Sequence, residues 1–455
     1  MRFSKYILTI LLITGSIWAN AQDTDTSFTL QKCLDIAIKN NLQVKQSNAN
    51  AELARIDYRQ SIENLLPNIS GSATRSFNNG RAINPSTNAY VNQSATNDQY
   101  GLLGSMTLFN GFSLINAVKA SSLAFQAGKM SFQAAKEAVT INVITSYLAI
   151  LNDQEILTAN KSQLAYQQGN VDRVTILEKQ GANKAASDLT DQQGQLAANE
   201  VNVVNSQNVL DAAKLTLFQL MNIPYRAGAK FEDVNAENLR GEYGSDPDQI
   251  YQSALKQFAV VKAATLNRQA AEKNVSSVRG SLAPSIILGG GMSSAYSNKA
   301  QQSIVVDSIT TFQGVSYHDQ LKNNYQSYVS IGVNIPIFLN GIKRNTLAKA
   351  KINALYQRDV EENAKIVLKQ DVESAYFNMM AAYKKYQVLM DQVKAYTESF
   401  RIYKLRFEAG VLTSVDYLLA KNNLDAATVN MISAKYNYFI DSKILDYYQG
   451  KLTWQ

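Results

Sequence analysis

The sequence predicts a mainly α-helical chain that carries four β-strands and is built as two copies of one unit. Three observations lead there. The six prolines, Pro67, Pro85, Pro224, Pro247, Pro284 and Pro336, leave residues 86–223 and 337–455 free of proline. A residue that costs a helix interior about 3 kcal/mol is informative where it is missing. Apolar residues recur with a coiled-coil period in the second of these stretches, but alternate strictly from Val329 to Ile337. Finally, LDIAIKNN at Leu34 aligns with YQSALKQF at Tyr251, an offset of 217 that also lays Leu66-Pro67-Asn68-Ile69 on Ala283-Pro284-Ser285-Ile286.

Composition excludes several chemistries. The 455 residues include one His and one Cys, which removes His-based triads, multi-His metal sites, disulfide frameworks and iron–sulfur clusters. No cofactor is expected. His318 lies in a polar segment without a ligand set, and Cys33 reads as a small buried residue on an apolar helix face. The formal charge of +7 falls to +5 once a leader holding Arg2 and Lys5 is removed. An excess this mild and dispersed implies no nucleic-acid partner.

Taken in order, residues 1–21 read as a secretory signal: a basic start, the apolar run Tyr6 to Ile13, and Ala19-Asn20-Ala21 ahead of a cleavage placed after Ala21. No Cys stands at the junction to take a lipid, and no later run reaches the ~20 unbroken apolar residues of a spanning helix. The first repeat, 22–221, comprises a helix, strands at about 67–77 and 100–109, a long helix at about 112–180 and a helix at about 184–221. Residues 222–246, with Pro224 and several glycines, form a linker. The second repeat, 247–450, holds a helix, strands at about 284–296 and 327–338, a long helix at about 342–409 and a helix at about 413–449, before a tail at 451–455. The polar segments 78–99 and 297–326 read as long exposed loops. Gly181 and Gly410 mark the reversals after the long helices, at the larger offset of 229. What the second copy has in excess therefore lies in its strand-loop-strand segment, ahead of Asn340-Gly341.

The second long helix runs from Ile342 to Ala409 without Pro or Gly, about 100 Å at ~1.5 Å per residue. Along it Tyr376, Met379, Tyr383, Tyr386, Met390, Val393, Tyr396, Phe400, Tyr403 and Phe407 follow one another at steps of three or four, a heptad seam. Strands of about 10 residues with one apolar face suit a tilted bilayer crossing. Four of them cannot close a barrel, because lipid offers nothing to pair open strand edges. Several chains must share one barrel, and three chains supply twelve strands.

The export signal, the duplicated unit, the Leu66-Pro67-Asn68-Ile69 and Ala283-Pro284-Ser285-Ile286 helix exits, and the tip sequence Phe407-Glu-Ala-Gly410-Val-Leu-Thr-Ser414-Val-Asp416-Tyr-Leu-Leu-Ala420 together resemble the TolC-like outer membrane efflux protein family. The resemblance spans essentially the whole mature chain. It implies a long coiled-coil-like helical barrel plus four transmembrane β-strands per protomer, with a homotrimer closing a 12-stranded barrel in outer membrane lipid. It also implies a periplasmic adaptor, an inner-membrane pump, and a passive duct rather than an enzyme. Consistent with that division, no Walker A sequence is present. An outlet for type I protein secretion and, in another class, a coiled-coil surface stalk are the alternatives; the stalk predicts no duplicated strand pair.

By the same resemblance the adaptor docks at the helix tips, Gly181, Gly410, Val411 and Ser414, and the channel narrows at Asp416 and its first-copy counterpart Asp188. This sequence departs from the pattern in two ways. Asp188 follows Gly181 by seven positions where Asp416 follows Gly410 by six, and Leu412 and Leu419 stand where relatives carry a basic and a second acidic residue. Thr413 and Asp416 also have capping-box spacing, so Asp416 reads equally as a helix cap and as a constriction.

Overall fold

The computed structural model describes residues 27–83, 88–180, 186–234, 243–306 and 309–451. The leader with its cleavage site after Ala21, the reversal at Gly181, linker residues 235–242 and tail residues 452–455 lie outside the described residues. In chain order the elements are β1 (Ser27–Phe28), α1 (Leu30–Asn40), α2 (Leu42–Glu63), β2 (Asn68–Ile83), β3 (Tyr90–Phe109), α3 (Ser113–Lys179), α4 (Ala186–Met221), β4 (Lys230–Phe231), α5 (Pro247–Gln257), α6 (Ala259–Gly280), β5 (Ser285–Ser297), β6 (Gln301–Val306), β7 (Ile309–Gly314), α7 (Tyr317–Asn323), β8 (Gln326–Asn334), α8 (Ile342–Glu408) and α9 (Ser414–Tyr448). The duplication is visible in the bounds. Helices α1 and α2 recur as α5 and α6 at one constant offset, position 30 answering to 247 and 63 to 280. Helix α3 recurs as α8 at a second, larger one, 113 answering to 342 and 179 to 408.

Contacts divide the chain into two compact units: one of residues up to Ser47, Phe132–Ala259 and Lys365 onward, the other of Asn48–Ser131 and Val260–Ala364. The first unit is helical around an apolar cluster in which Val143, Ile144, Tyr147 and Leu151 of α3 meet Cys33 and Leu34 of α1, Leu217 and Phe218 of α4, and Tyr436 and Phe439 of α9. The α3 sequence is apolar enough over 18 residues to pass as a membrane helix. Only part of that stretch is buried within the chain. Phe28 and Phe231, carried by the two-residue parallel pair β1 and β4, stack at 5.7 Å, and the Tyr147 hydroxyl lies 2.9 Å from the Phe28 carbonyl and 2.8 Å from that of Glu232. Tyr147→Phe removes the group serving both carbonyls. We expect it to lower the unfolding free energy by about 1–3 kcal/mol with export retained, as read by thermal unfolding and an efflux assay.

On α8, Leu368, Val372, Ala375 and Met379 are buried at helical spacing, and the Tyr383 ring packs at a tilt against Tyr438 of α9, 5.0 Å between centroids. The expected seam shifts at one point: Met390 is exposed and Leu389 buried in its place. Both border the apolar stripe, and the neighbouring helix decides which of them is covered.

The second unit holds an antiparallel sheet of order β2-β3-β5-β8. Three expectations are corrected here. The segment 78–99 is mostly paired strand rather than loop, for β2 and β3 stay in register from Asn68↔Ser105 out to Ile83↔Tyr90. Backbone pairing needs no apolar side chain, so the polar composition concealed it. The segment 297–326 folds too, as the β6–β7 hairpin followed by α7. Strand β8 stops at Asn334 rather than running on to about 338, two residues before Pro336, which has no N–H to continue a ladder.

Register assigns every strand residue to a face. One face carries Ile69, Leu102, Met106, Leu288, Met292, Val329, Ile331 and Val333; the other carries Ser70, Ser72, Gln99, Ser105, Ser293, Ser330 and Asn334 among a few apolar residues such as Leu103 and Tyr328. Below the sheet, Gly111 and Gly280 approach so closely that a Cβ on either would stand 2.4 Å from the other's carbonyl oxygen. Gly111 also has φ +64°. That contact accounts for glycine in the Asn110-Gly111 turn, where a side chain would force the two backbones apart.

Candidate functional site

The candidate site is the tip of the helical hairpin α8–α9 together with the parts of α3 and α4 packed on it. Helix α8 ends in a Schellman arrangement: Gly410 N–H donates to the Phe407 carbonyl at 3.1 Å and Val411 N–H to the Arg406 carbonyl at 3.0 Å. Gly410 has φ +76° with open space around an added Cβ, so its backbone conformation, not crowding, requires glycine. A few residues later α9 starts. Thr413 is its N-cap, with Oγ1 accepting from Asp416 N–H at 3.3 Å and donating to Asp416 Oδ2 at 2.7 Å. The carboxylate of Asp416 therefore takes part in the cap, near the positive end of the helix dipole.

Ser414, expected at the docking surface, is 2% exposed. Its hydroxyl donates to Asp191 Oδ2 of α4 at 2.8 Å. The first-copy acid in contact with the second hairpin is thus Asp191, one helical turn beyond Asp188. Asp188 itself sits half-buried in the first turn of α4. Gly181 lies outside the described residues. Val411 is 69% exposed, and Val415 and Leu419 continue an exposed apolar row from it at four-residue steps.

Beneath the tip is an aromatic and polar cluster that the sequence did not single out. Tyr417, buried, stacks on Phe407 at 4.7 Å and lies against Phe400 at 5.4 Å. Its oxygen accepts from Asn170 Nδ2 at 2.9 Å and pairs with the Tyr166 hydroxyl at 3.1 Å. Burial, and then the hydrogen bond with Tyr166, raise the Tyr417 phenol far above its ordinary pKa, so it stays protonated. One turn further along α9, Lys421 pairs with Asp425 while its Nζ lies 5.2 Å from the Tyr166 ring centre. Burial pushes the Asp425 carboxyl up and the neighbouring ammonium offsets this only in part. Nearer the surface, Arg173 bridges to Glu408 at 2.6 Å, an exposed pair worth about 0–1 kcal/mol. The seam pattern contained Phe400 and Phe407, but their ring partners, Tyr166 of α3 and Tyr417 of α9, follow only from helix packing.

These groups can hold two helical hairpins together, and among the described residues no cluster of His, Cys, Asp or Glu could hold a metal. Ser414→Ala leaves the Asp191 carboxylate without its donor. The expected result is a loss of about 1–2 kcal/mol in unfolding free energy, measured by chemical denaturation beside Thr413→Ser, which keeps the neighbouring cap.

Comparison with known proteins places this arrangement. The family model described as "Outer membrane efflux protein" matches twice, over residues 33–222 and 250–450. Outer membrane protein TolC of Escherichia coli K12 is 22% identical over 402 residues, 88% of this chain and 78% of TolC. Toxin and drug export protein A of Aggregatibacter actinomycetemcomitans is 23% identical over 447 residues, 93% of this chain and 87% of its own length. Among solved structures, outer membrane protein VceC of Vibrio cholerae superimposes with a TM-score of 0.77 at 13% identity, covering 92% of this chain and 96% of VceC.

Proposed function

The chain belongs to the outer membrane efflux protein family, and from that premise we propose that it is the outer-membrane channel of a tripartite export system. In this reading a homotrimer forms a passive duct for small molecules and drugs, delivered by an inner-membrane pump through a periplasmic adaptor. The observation that carries it is the sheet. Strands β2 and β8 are its two edges, one face is apolar and the other polar, and such a sheet is stable in lipid only when the edges are closed by further copies. Exposed apolar residues along α8, among them Ile352 and Tyr356, support association of the helices as well. The test is mass by light scattering in detergent: a trimer is expected, and a folded monomer rich in β structure would remove the shared-barrel argument.

A second reading, the outlet of a protein secretion system, is kept because one relative at 23% identity is named for both toxin and drug export. Cargo is chosen by the inner-membrane partner in either case. Cross-linking in cells and identification of the pump that co-purifies separates the two.

We assign the narrow end of the duct to the tip, with three copies each of Asp416 and Asp188 around it, and adaptor docking to Gly181, Gly410 and Val411. Ser414 supports that surface from beneath through Asp191. A ring of carboxylates in a narrow passage favours cations, so Asp416→Ala is expected to weaken cation preference and block by trivalent cations in single-channel recordings. If Asp416 acts only as a cap partner, the substitution lowers stability by about 0.5–2 kcal/mol and leaves selectivity unchanged.

A further inference from the structure

The excess residues of the second repeat form a structure of their own. Helix α7 is held against β5 by four side-chain hydrogen bonds: Ser294 Oγ to the Leu321 carbonyl at 2.6 Å, Ser297 N–H to Gln320 Oε1 at 2.8 Å, Gln320 Nε2 to the Ser297 carbonyl at 3.0 Å and Asn324 Nδ2 to the Ala295 carbonyl at 2.7 Å. Tyr317 packs on Tyr296 at 4.6 Å and shares a 2.7 Å hydrogen bond with the Tyr100 hydroxyl. The strand residues whose side chains meet α7, Ser294, Tyr296 and Tyr100, all belong to the face that carries Leu102, Leu288 and Met292. The helix therefore lies on the apolar face of the sheet, not on the Ser, Asn and Gln face that would line a channel.

Its height is set by the ladder. From Ile286 to Ser294 is eight steps along β5, about 26 Å along a strand at ~3.3 Å per residue, hence roughly 20 Å along the membrane normal at ~40° tilt, against an apolar band of ~25 Å. Helix α7 thus stands at the upper border of that band, where tyrosines with one apolar and one wet end are favoured. The hairpin before it exposes Val305 by 71%, Ile309 by 66% and Phe312 by 47%, side chains that water does not stabilise and the head-group boundary does.

We propose that residues 299–306 and 309–324 are a membrane-surface anchor: they lie against the outer wall of the barrel, in the head-group layer of the outer leaflet, with Val305 and Phe312, which share one face of the hairpin, turned into lipid, and do not fold over the mouth as a lid. The proposal rests on the channel reading above. A lid would have to pack on the polar face or cross the open end, and every bond from α7 to the sheet runs to the apolar face or to the backbone of β5.

The test uses single-cysteine labelling of the full-length trimer reconstituted in vesicles of phosphatidylethanolamine and phosphatidylglycerol. Cys33 is fully buried and its thiol is pushed up to about 12 by burial, so it stays unlabelled. An environment-sensitive fluorophore is placed at Phe312→Cys and, separately, at Val305→Cys, with Met292→Cys as the apolar-face control and Ser293→Cys as the polar-face control. The hairpin labels are expected to be quenched by brominated acyl chains, as the Met292→Cys label is, and the Ser293→Cys label by aqueous iodide. Hairpin labels quenched only by iodide, with the Met292→Cys label still quenched by lipid, overturn the anchor and leave the channel standing; a Met292→Cys label insensitive to lipid overturns both. Replacing Gln301–Gly314 with a short Gly-Ser turn is expected to leave single-channel conductance unchanged, and a rise in conductance would identify a lid instead.

Discussion

Tyr383→Pro is expected to abolish export while the strands still insert. Position 383 lies deep inside α8, a helix of 67 residues, where its ring packs at a tilt against Tyr438 of α9 and its amide belongs to the continuous i to i−4 ladder. Proline deletes that donor and drives its ring against the carbonyl of Met379, a cost of about 3 kcal/mol or more in each subunit. Met379 and Tyr438 are both buried, so the kink cannot be absorbed at a free surface, and in a duct three kinks act at one level. Tyr383→Phe keeps ring and ladder and serves as the control. The measurement is drug accumulation in cells of equal protein abundance. Normal efflux by the proline variant would show that no continuous helical wall is required.

The second large effect concerns the sheet. Val329 faces the apolar side at mid-height, paired with Gly290, and Ser330 beside it faces the other way, paired with Gly289. Val329→Arg places a guanidinium in lipid near the bilayer midplane, at about 2–4 kcal/mol per copy, repeated three times in a trimer. We expect assembly in the outer membrane to fall steeply. Ser330→Arg, one residue on, should assemble normally and alter conductance, because its three charges line the aqueous side. Equal tolerance of the two substitutions would mean that the faces are not lipid and lumen. A one-residue register slip inverts every side chain, so this pair tests the ladder as well as the topology.

How far the sequence reached differs by element. The long helices were legible because their signal is local: a run without Pro or Gly and apolar positions at a 3.5-residue period need no knowledge of the partner. The duplication was equally legible, since one offset recurs in both boundaries of α1 and α2. The apolar core strands showed as alternation. The outer halves of β2 and β3 did not, because Asn78, Asn79, Ser94 and Asn92 carry no apolar face to alternate. Helix α7 was hidden for a related reason: it makes two turns and is anchored by Tyr317 and Gln320, residues that resemble loop composition.

At the tip, Gly410 as a reversal and Thr413 with Asp416 as a cap follow from spacing alone, since all three are set by bonds within a few residues. That Ser414 turns inward to Asp191, and that Tyr417 gathers Tyr166, Asn170 and Phe400 around itself, follows from how four helices distant in sequence settle against one another. By itself the sequence determined the long helices and the apolar parts of the four main strands, that the unit occurs twice, and that one chain cannot close its own sheet, because each is a local pattern or a count of backbone groups needing partners. Strand register at the outer end, the face on which α7 rests and the partner of each tip residue were decided only by tertiary structure, because those pairings depend on non-local contacts that a local pattern does not encode.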